Sequence, residues 1–223
     1  MGSTSEFSTN SLTVAGTDLS GTVYSDEGTT TLGSQTVRVA VNGVDQTTAE
    51  SNATTGAYSF SGLTINSGDI VTVYLEDESA DAVAVIHSDA TEITTDLFQN
   101  RMIVSRTGGG TMTNADLATG LVAAEADLSS IYSVSGSDLT LQLNSELIIT
   151  AGTVLNAGGS IAAHDIQIDG ALNVGSNAIT VSGSFVNNGS FLTTNSITFT
   201  GSSAETFNTG GIAATNDFQN LTV

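Results

Sequence analysis

The sequence predicts an all-β chain, an antiparallel β-sandwich followed by a short parallel β-helix (β-solenoid), and three observations carry that expectation. Apolar and polar residues alternate with period two in most segments, the spacing of a strand with one buried face. Proline is absent, 24 glycines punctuate the apolar runs, and helical patterning is confined to one short stretch. A strand-and-glycine phrase also returns late in the chain: "NAITVSG" at 177–183 and "NSITFTG" at 195–201, with the near-copy "NSLTVAG" at 10–16. A second echo links "DLFQNRMIV" at 96–104 to "NDFQNLTV" at 216–223.

Residues 1–7, "MGSTSEF", read as vector-encoded sequence, since they lack the charged and apolar regions of a signal peptide. The sandwich is expected over residues 8–106, with 10–16 as an extra strand of the solenoid type. Val37, Val39 and Val41 alternate with Arg38 and Ala40, and Val71, Val73 and Leu75 with Thr72 and Tyr74, as half-buried strands would. Between them Tyr58 and Phe60 share a face, with Gly56, Gly62 and Gly68 as breaks, and "DAVAVIHS" supplies a further strand after the acidic turn "EDESAD". In "SGTVYSDEG", "VRVAVNG" and "TGAYSFSGLTINSGDIVTVYL" this part resembles the carboxypeptidase-regulatory (prealbumin-like) modules of secreted bacterial proteins. That resemblance implies a sandwich serving as a spacer or stalk unit and carries over no catalytic residue.

Residues 107–137 form a connector. After "TGGGT", Thr113 or Asn114 is placed to cap a short helix that Gly120 interrupts, and such a helix would cap the end of the next domain. From residue 138 to 223 the glycine phrases "ELIITAG", "DIQIDG", "AITVSG" and "SITFTG" end at Gly152, Gly170, Gly183 and Gly201, intervals of 18, 13 and 18. Short strands at that spacing predict successive rungs of a parallel β-helix. Leu172, Val174, Phe185, Phe191 and Phe199 then point inward, and Asn173, Asn187, Asn188 and Asn208 fall in turns. "IQIDGALNVGSNAITVSGSFVNNGSF" and "DFQNLTV" resemble the haemagglutinin-like β-helical repeats of large secreted bacterial surface proteins. That resemblance implies an extracellular structural or adhesive segment with neighbouring repeats.

Composition excludes several function classes. Three basic residues, Arg38, Arg101 and Arg106, stand against 23 acidic ones, a net charge of −20, so the clustered basic surface that nucleic acid needs is missing. Such an imbalance suits salt- or cation-rich extracellular water. No apolar run is long enough for a membrane-spanning helix. Without lysine there is no phosphate-binding loop, Schiff base or lysine isopeptide crosslink, and without cysteine no disulfide or thiolate. His87 and His164 stand in no metal or triad spacing. Asp165 and Asp169 share a strand face, a weak acid pair, and no basic residue accompanies them after residue 137, so the chain is not expected to be an enzyme.

Two sets of residues remain as candidate sites. Glu76, Asp77, Glu78 and Asp81 crowd one turn, the kind of hard-oxygen cluster that takes calcium, although a solvated turn blunting a sheet edge has the same composition. Ser11, Leu12, Thr13 and Val14 form a solenoid-type strand, and Phe218, Leu221 and Val223 end an uncapped apolar run that would accept one, giving head-to-tail association. The expected function is therefore a non-enzymatic stalk, adhesin or fibre unit whose partners are copies of itself or neighbouring repeats. A calcium-dependent module for a surface glycan or protein receptor is the alternative, although the absence of Trp and the presence of only 4 Tyr leave few sugar platforms. The sequons Asn52, Asn188 and Asn220 bear on function only in a glycosylating host.

Overall fold

A computed structural model describes residues 16–89, 92–202, 206–210 and 221–222. The chain is all-β, with 5% helix. Its first eight strands are β1 (Thr17–Tyr24), β2 (Thr36–Val41), β3 (Val44–Glu50), β4 (Ala57–Leu63), β5 (Ser67–Leu75), β6 (Val83–Asp89), β7 (Ile93–Thr94) and β8 (Leu97–Phe98). Strands β3, β2, β5 and β6 run antiparallel in one layer. The β2–β3 hairpin turns through Asn42 and Gly43, whose φ values of 50° and 73° give the two left-handed positions of a tight hairpin.

The second layer corrects the expectation of a purely antiparallel sandwich. Strand β1 pairs antiparallel with β4 but parallel with both β7 and β8. After β6 the chain crosses to this layer and then returns as β9 (Arg101–Arg106), which lies parallel to β6. Two crossings restore the strand direction, so the sheets are mixed. Gly21 is fixed by a close approach here: a Cβ would lie 1.7 Å from the carbonyl oxygen of Thr95, which also accepts a 2.6 Å hydrogen bond from the buried Tyr58 hydroxyl.

Strand β9 also belongs to the solenoid. It is followed by β10 (Gly110–Thr113), α1 (Asn114–Thr119), α2 (Ala126–Ser129), β11 (Tyr132–Ser135) and β12 (Asp138–Leu141). Three-strand turns follow: β13 (Glu146–Ile149), β14 (Thr153–Asn156) and β15 (Ile161–Ala163); β16 (Asp165–Ile168), β17 (Ala171–Gly175) and β18 (Ile179–Val181); β19 (Phe185–Asn187), β20 (Ser190–Thr193) and β21 (Ile197–Phe199). Short strands β22 (Phe207–Asn208) and β23 (Leu221–Thr222) continue two of the faces. The faces are the columns β9–β13–β16–β19–β22, β10–β14–β17–β20 and β12–β15–β18–β21–β23. The result is a parallel β-solenoid of about six turns.

The first column joins the sandwich without a break. A single nine-stranded sheet runs β3–β2–β5–β6–β9–β13–β16–β19–β22, and its two surfaces belong to two cores. On one surface Val71, Val73, Leu75, Ala84 and Ile86 pack with Ile103 of β9 and Ile148 of β13 under the β4–β1–β7 layer. On the other, Ile70, Tyr74, Val83 and Val85 join the solenoid interior together with Leu117, Leu128 and Ile131 of the helical stretch. The sandwich strands β5 and β6 are therefore buried on both sides, where alternation predicted one. Thr72 is wholly buried and donates a 2.7 Å hydrogen bond to the Gly120 carbonyl, an inward role the polar side chain hides in sequence.

The helices plug the lumen of the solenoid at its sandwich end. Thr113 caps α1 in a capping box with Asp116, Gly120 ends it, and the Tyr132 hydroxyl donates to the Leu117 carbonyl at 3.1 Å. A solenoid end left uncovered would expose apolar side chains and unpaired backbone; here Leu117, Leu128 and Ile131 fill the opening.

The register explains the uneven glycine intervals. Leu147, Ile166 and Phe185 stack at steps of 19 residues, whereas Ile161, Ile179 and Ile197 stack at steps of 18. "ELIITAG" and "DIQIDG" are thus neighbours on the first face, and "AITVSG" and "SITFTG" are neighbours on the third. The interval of 13 is a change of face, not a rung. The glycines serve close approach: at Gly170 a Cβ would lie 2.3 Å from the Thr150 carbonyl oxygen, and at Gly189 one would lie 1.9 Å from the Gly170 oxygen. Neither residue has a positive φ, so space between rungs, not backbone conformation, requires them.

Leu172, Val174, Phe185 and Phe191 are buried in the lumen, and Phe199 is partly buried against them. Phe185 meets Phe191 and Phe199 edge to face, with ring centroids 5.3 and 6.4 Å apart. Asn187 departs from its expected turn position. It ends β19 fully buried, accepts from the Gly189 amide at 3.1 Å and donates to the Thr209 carbonyl of the next turn at 3.2 Å. Asn173 and Asn208 likewise sit on strands, and each accepts from the amide of a glycine two residues on, which closes the corner.

Candidate functional site

The acidic turn does not gather. The Glu76 carboxylate is ion-paired with Arg38, Glu78 accepts from the Thr36 amide at 2.7 Å, and the Asp77 amide donates to Asp127 of α2 at 2.8 Å. The Asp81 carbonyl accepts from the Asn100 amide at 2.7 Å. Asp77 holds a positive φ of 56°, and the turn is tied to β2 through the Glu76 and Glu78 carboxylates and to α2 and the β8–β9 connection through the backbone of Asp77 and Asp81. Among the described residues no three acidic or histidine side chains converge to hold a metal ion.

Asp165 and Asp169 also have separate partners. Asp165 bonds the Nδ1 of His164 at 2.9 Å, and Asp169 accepts from Gln167 at 3.0 Å and from Asn188 at 2.8 Å. The His164–Asp165 pair lies against Gly183 of the rung above, where a Cβ would fall 2.3 Å from Asp165 Oδ1 and 2.7 Å from the imidazole. It closes a corner between rungs. His87 lies on β6, in the sandwich layer remote from that corner in the sheet order, and its carbonyl accepts from the Thr107 amide. Asn52 folds its own side chain onto the Thr54 and Thr55 amides, and Asn188 is exposed.

All three arginines bind carboxylates, and one of these clusters was not foreseen. Arg101, at the start of β9, reaches Glu146 of β13 at 2.8 Å and Glu27 of the β1–β2 loop at 2.9 Å, and donates to the Gln99 carbonyl at 2.9 Å. Arg101, Glu146 and Asp165 stand in one register row across β9, β13 and β16. Burial raises the Glu146 carboxyl above its ordinary range; the Arg101 charge lowers it, and Glu27 and Asp165 push it up again. The row clasps the sandwich loop to the solenoid. In sequence Glu27, Arg101 and Glu146 are too far apart to pair by inspection; only the parallel register unites them. Arg106 meets Asp89 at 3.6 Å and donates to the Thr111 carbonyl at 3.0 Å.

The second candidate is the far pole of the solenoid. Residues 170–204 contain no Asp, Glu, Lys, Arg or His, so the last full turns are uncharged in a chain of net charge −20. Leu221 pairs with Ile197 and Thr222 with Thr198, in parallel register, as β23 extends the third face. The other residues assigned to this contact, Ser11, Leu12, Thr13, Val14, Phe218 and Val223, lie outside the described residues, as does Asn220.

No protein-family model, curated protein or solved structure matches the chain. No helix among the described residues is long and apolar enough to cross a membrane.

Proposed function

We propose that the chain is a non-enzymatic structural segment of an extracellular bacterial protein, a stalk or fibre unit in which the sandwich anchors and closes one end of a β-solenoid. The likeness to prealbumin-like modules and haemagglutinin-like repeats leads to that reading. The observation that carries it is the nine-stranded sheet that serves both halves. A spacer must transmit orientation and load, and a sheet whose two surfaces are packed into two cores has no hinge between its halves. The absence of lysine and cysteine removes the commonest covalent chemistries from such a unit, and its acidity keeps neighbouring stalks apart.

The test is mechanical. Tethered through residues 17 and 222 and stretched in an optical trap, the segment unfolds in one event that releases both halves. Two well-separated steps, with the sandwich lost first at low force, would contradict a rigid spacer. Location is checked by protease shaving of intact source cells: peptides of this segment are released from the surface, and retention inside the cells would refute the extracellular assignment.

A further inference from the structure

Where the second sandwich layer ends over the shared sheet, a concave groove of about 220 Å³ opens between them. Its wall is the break between β7 and β8, where the chain is drawn over β1. The Thr95 amide donates to the Ser20 carbonyl at 2.9 Å, the Thr95 carbonyl sits on Gly21 and takes the Tyr58 hydroxyl, and Asp96 Oδ1 accepts from the Thr22 amide at 2.8 Å. The floor comes from β9 and β13. Ile103 stands beside Ile148 in register, and the next outward residues along the two strands, Ser105 and Thr150, bring hydroxyls to the same groove. Phe98 of β8, partly buried against the sandwich core, adds an aromatic ring.

We propose that this groove binds one neutral pyranose residue of a glycan, with the apolar face of the ring toward Phe98 and Ile148 and a pair of its hydroxyls on Asp96. A sugar ring has two kinds of surface, and the groove has a counterpart for each. Aromatic and aliphatic carbon meets the C–H face of the ring, while a carboxylate and a serine hydroxyl meet its O–H groups. The carboxylate is preset, because the Thr22 amide holds Oδ1 and leaves Oδ2 without a protein partner among the described residues. A hydroxyl bonded to an ionised carboxylate makes one of the stronger hydrogen bonds.

Charge and size narrow the ligand. Of the residues that line the groove Asp96 alone ionises, and the chain carries a net charge of −20, so phosphates and acidic sugars are repelled. Arg101, the nearest cation along β9, is already held by Glu146 and Glu27. The groove is smaller than the roughly 300–1,000 Å³ of sites for drug-sized ligands, which suits a single ring and not an extended oligosaccharide. The site goes beyond the stalk reading and does not depend on it.

The experiment is methyl-resolved NMR of the full chain, titrated with the methyl glycosides of glucose, galactose, mannose and N-acetylglucosamine and with choline as a cationic probe. At least one sugar shifts the Ile103 and Ile148 methyls saturably, with the weak affinity of a small ligand held by few contacts. Asp96→Asn keeps the acceptor for the Thr22 amide but loses the free carboxylate oxygen, and it weakens binding about tenfold or more with unchanged circular dichroism. Ser105→Leu fills the groove and abolishes the shifts. The inference is overturned if no sugar moves those methyls, if Asp96→Asn binds as wild type does, or if choline binds in place of the sugars. Unfolding under load in one event tests the stalk reading separately, so either can fail alone.

Discussion

Truncation of one side chain, Ile148, tests whether the two cores are joined as described. Ile148 lies on β13, a solenoid strand, yet its side chain is 4% exposed and packed in the sandwich core beside Ile103. Ile148→Ala removes three carbons, roughly 2.4 kcal/mol at about 0.8 kcal/mol for each buried methylene. The site borders a groove of about 220 Å³ lined by Thr94, Asp96, Phe98 and Thr150, so water can enter the space left and the added cavity cost stays small. In a chain of this length about 2.4 kcal/mol lowers Tm by roughly 5–10 °C. Ile149→Ala, one residue on, faces the wholly buried solenoid interior and costs more, about 3–5 kcal/mol. Thermal and urea unfolding followed by near-ultraviolet circular dichroism, which reads the buried Tyr58, Tyr74 and Tyr132, measure both variants. A Tm shift below about 2 °C for Ile148→Ala would mean that the β4–β1–β7 layer does not rest on β13, and the shared core would fall.

Four further outcomes follow from the same geometry. Gly189→Ala forces a methyl onto the Gly170 carbonyl and costs at least about 1–3 kcal/mol in urea unfolding, whereas Gly68→Ala meets no neighbouring atom and costs only what its φ of 94° imposes. Glu146 has a folded-state pKa above its unfolded value, so the folded chain binds more protons in that window; its contribution to stability is full at acid pH and is lost as pH rises through the folded pKa. Glu146→Gln should flatten that decline in urea midpoints taken at pH 4 to 7, and an unchanged slope would dismiss Glu146 as its source. Trypsin should leave the native chain intact for hours, because Arg38 and Arg101 lie in paired strands; the first cut, if any, follows Arg106 at the end of β9, and early cleavage after Arg38 would contradict the β2 assignment. Calcium should raise Tm no more than sodium at equal ionic strength, since the Glu76 carboxylate is taken by Arg38 and the Glu78 carboxylate by the Thr36 amide; a calcium-specific rise would show a bound ion.

The elements of the solenoid were legible because their signal is local. Phe185 and Phe191 fall on alternating positions of short strands, and the phrase around Ile179 and Ile197 repeats at one rung's length. The first column was harder to read, since "DIQIDG" and "AITVSG" look alike while lying on different faces, and the 13-residue interval between them carries no mark of the change. The union of the halves was not legible at all. Tyr74 and Thr72 look like outward residues of a half-buried strand, and only the arrival of Gly120 from the helical stretch makes their surface interior. The Arg101 row depends on parallel pairing between strands 45 residues apart, as the Glu146 to Arg101 register shows. The partners of the acidic turn were not legible either: Glu76 pairs with Arg38 and Glu78 with the Thr36 amide, 38 and 42 residues back in the chain.

The central claim is that β6, β9 and β13 are consecutive strands of one sheet. Native-state amide hydrogen exchange across the pairs Val85–Val104 and Val104–Ile149 measures it directly. Protection of these amides should be lost together, with one opening free energy and one denaturant dependence shared by the sandwich strands and the first solenoid turns. Retained protection in β2, β5 and β6 under conditions where β9 and β13 exchange freely would contradict it and split the molecule into two independent units.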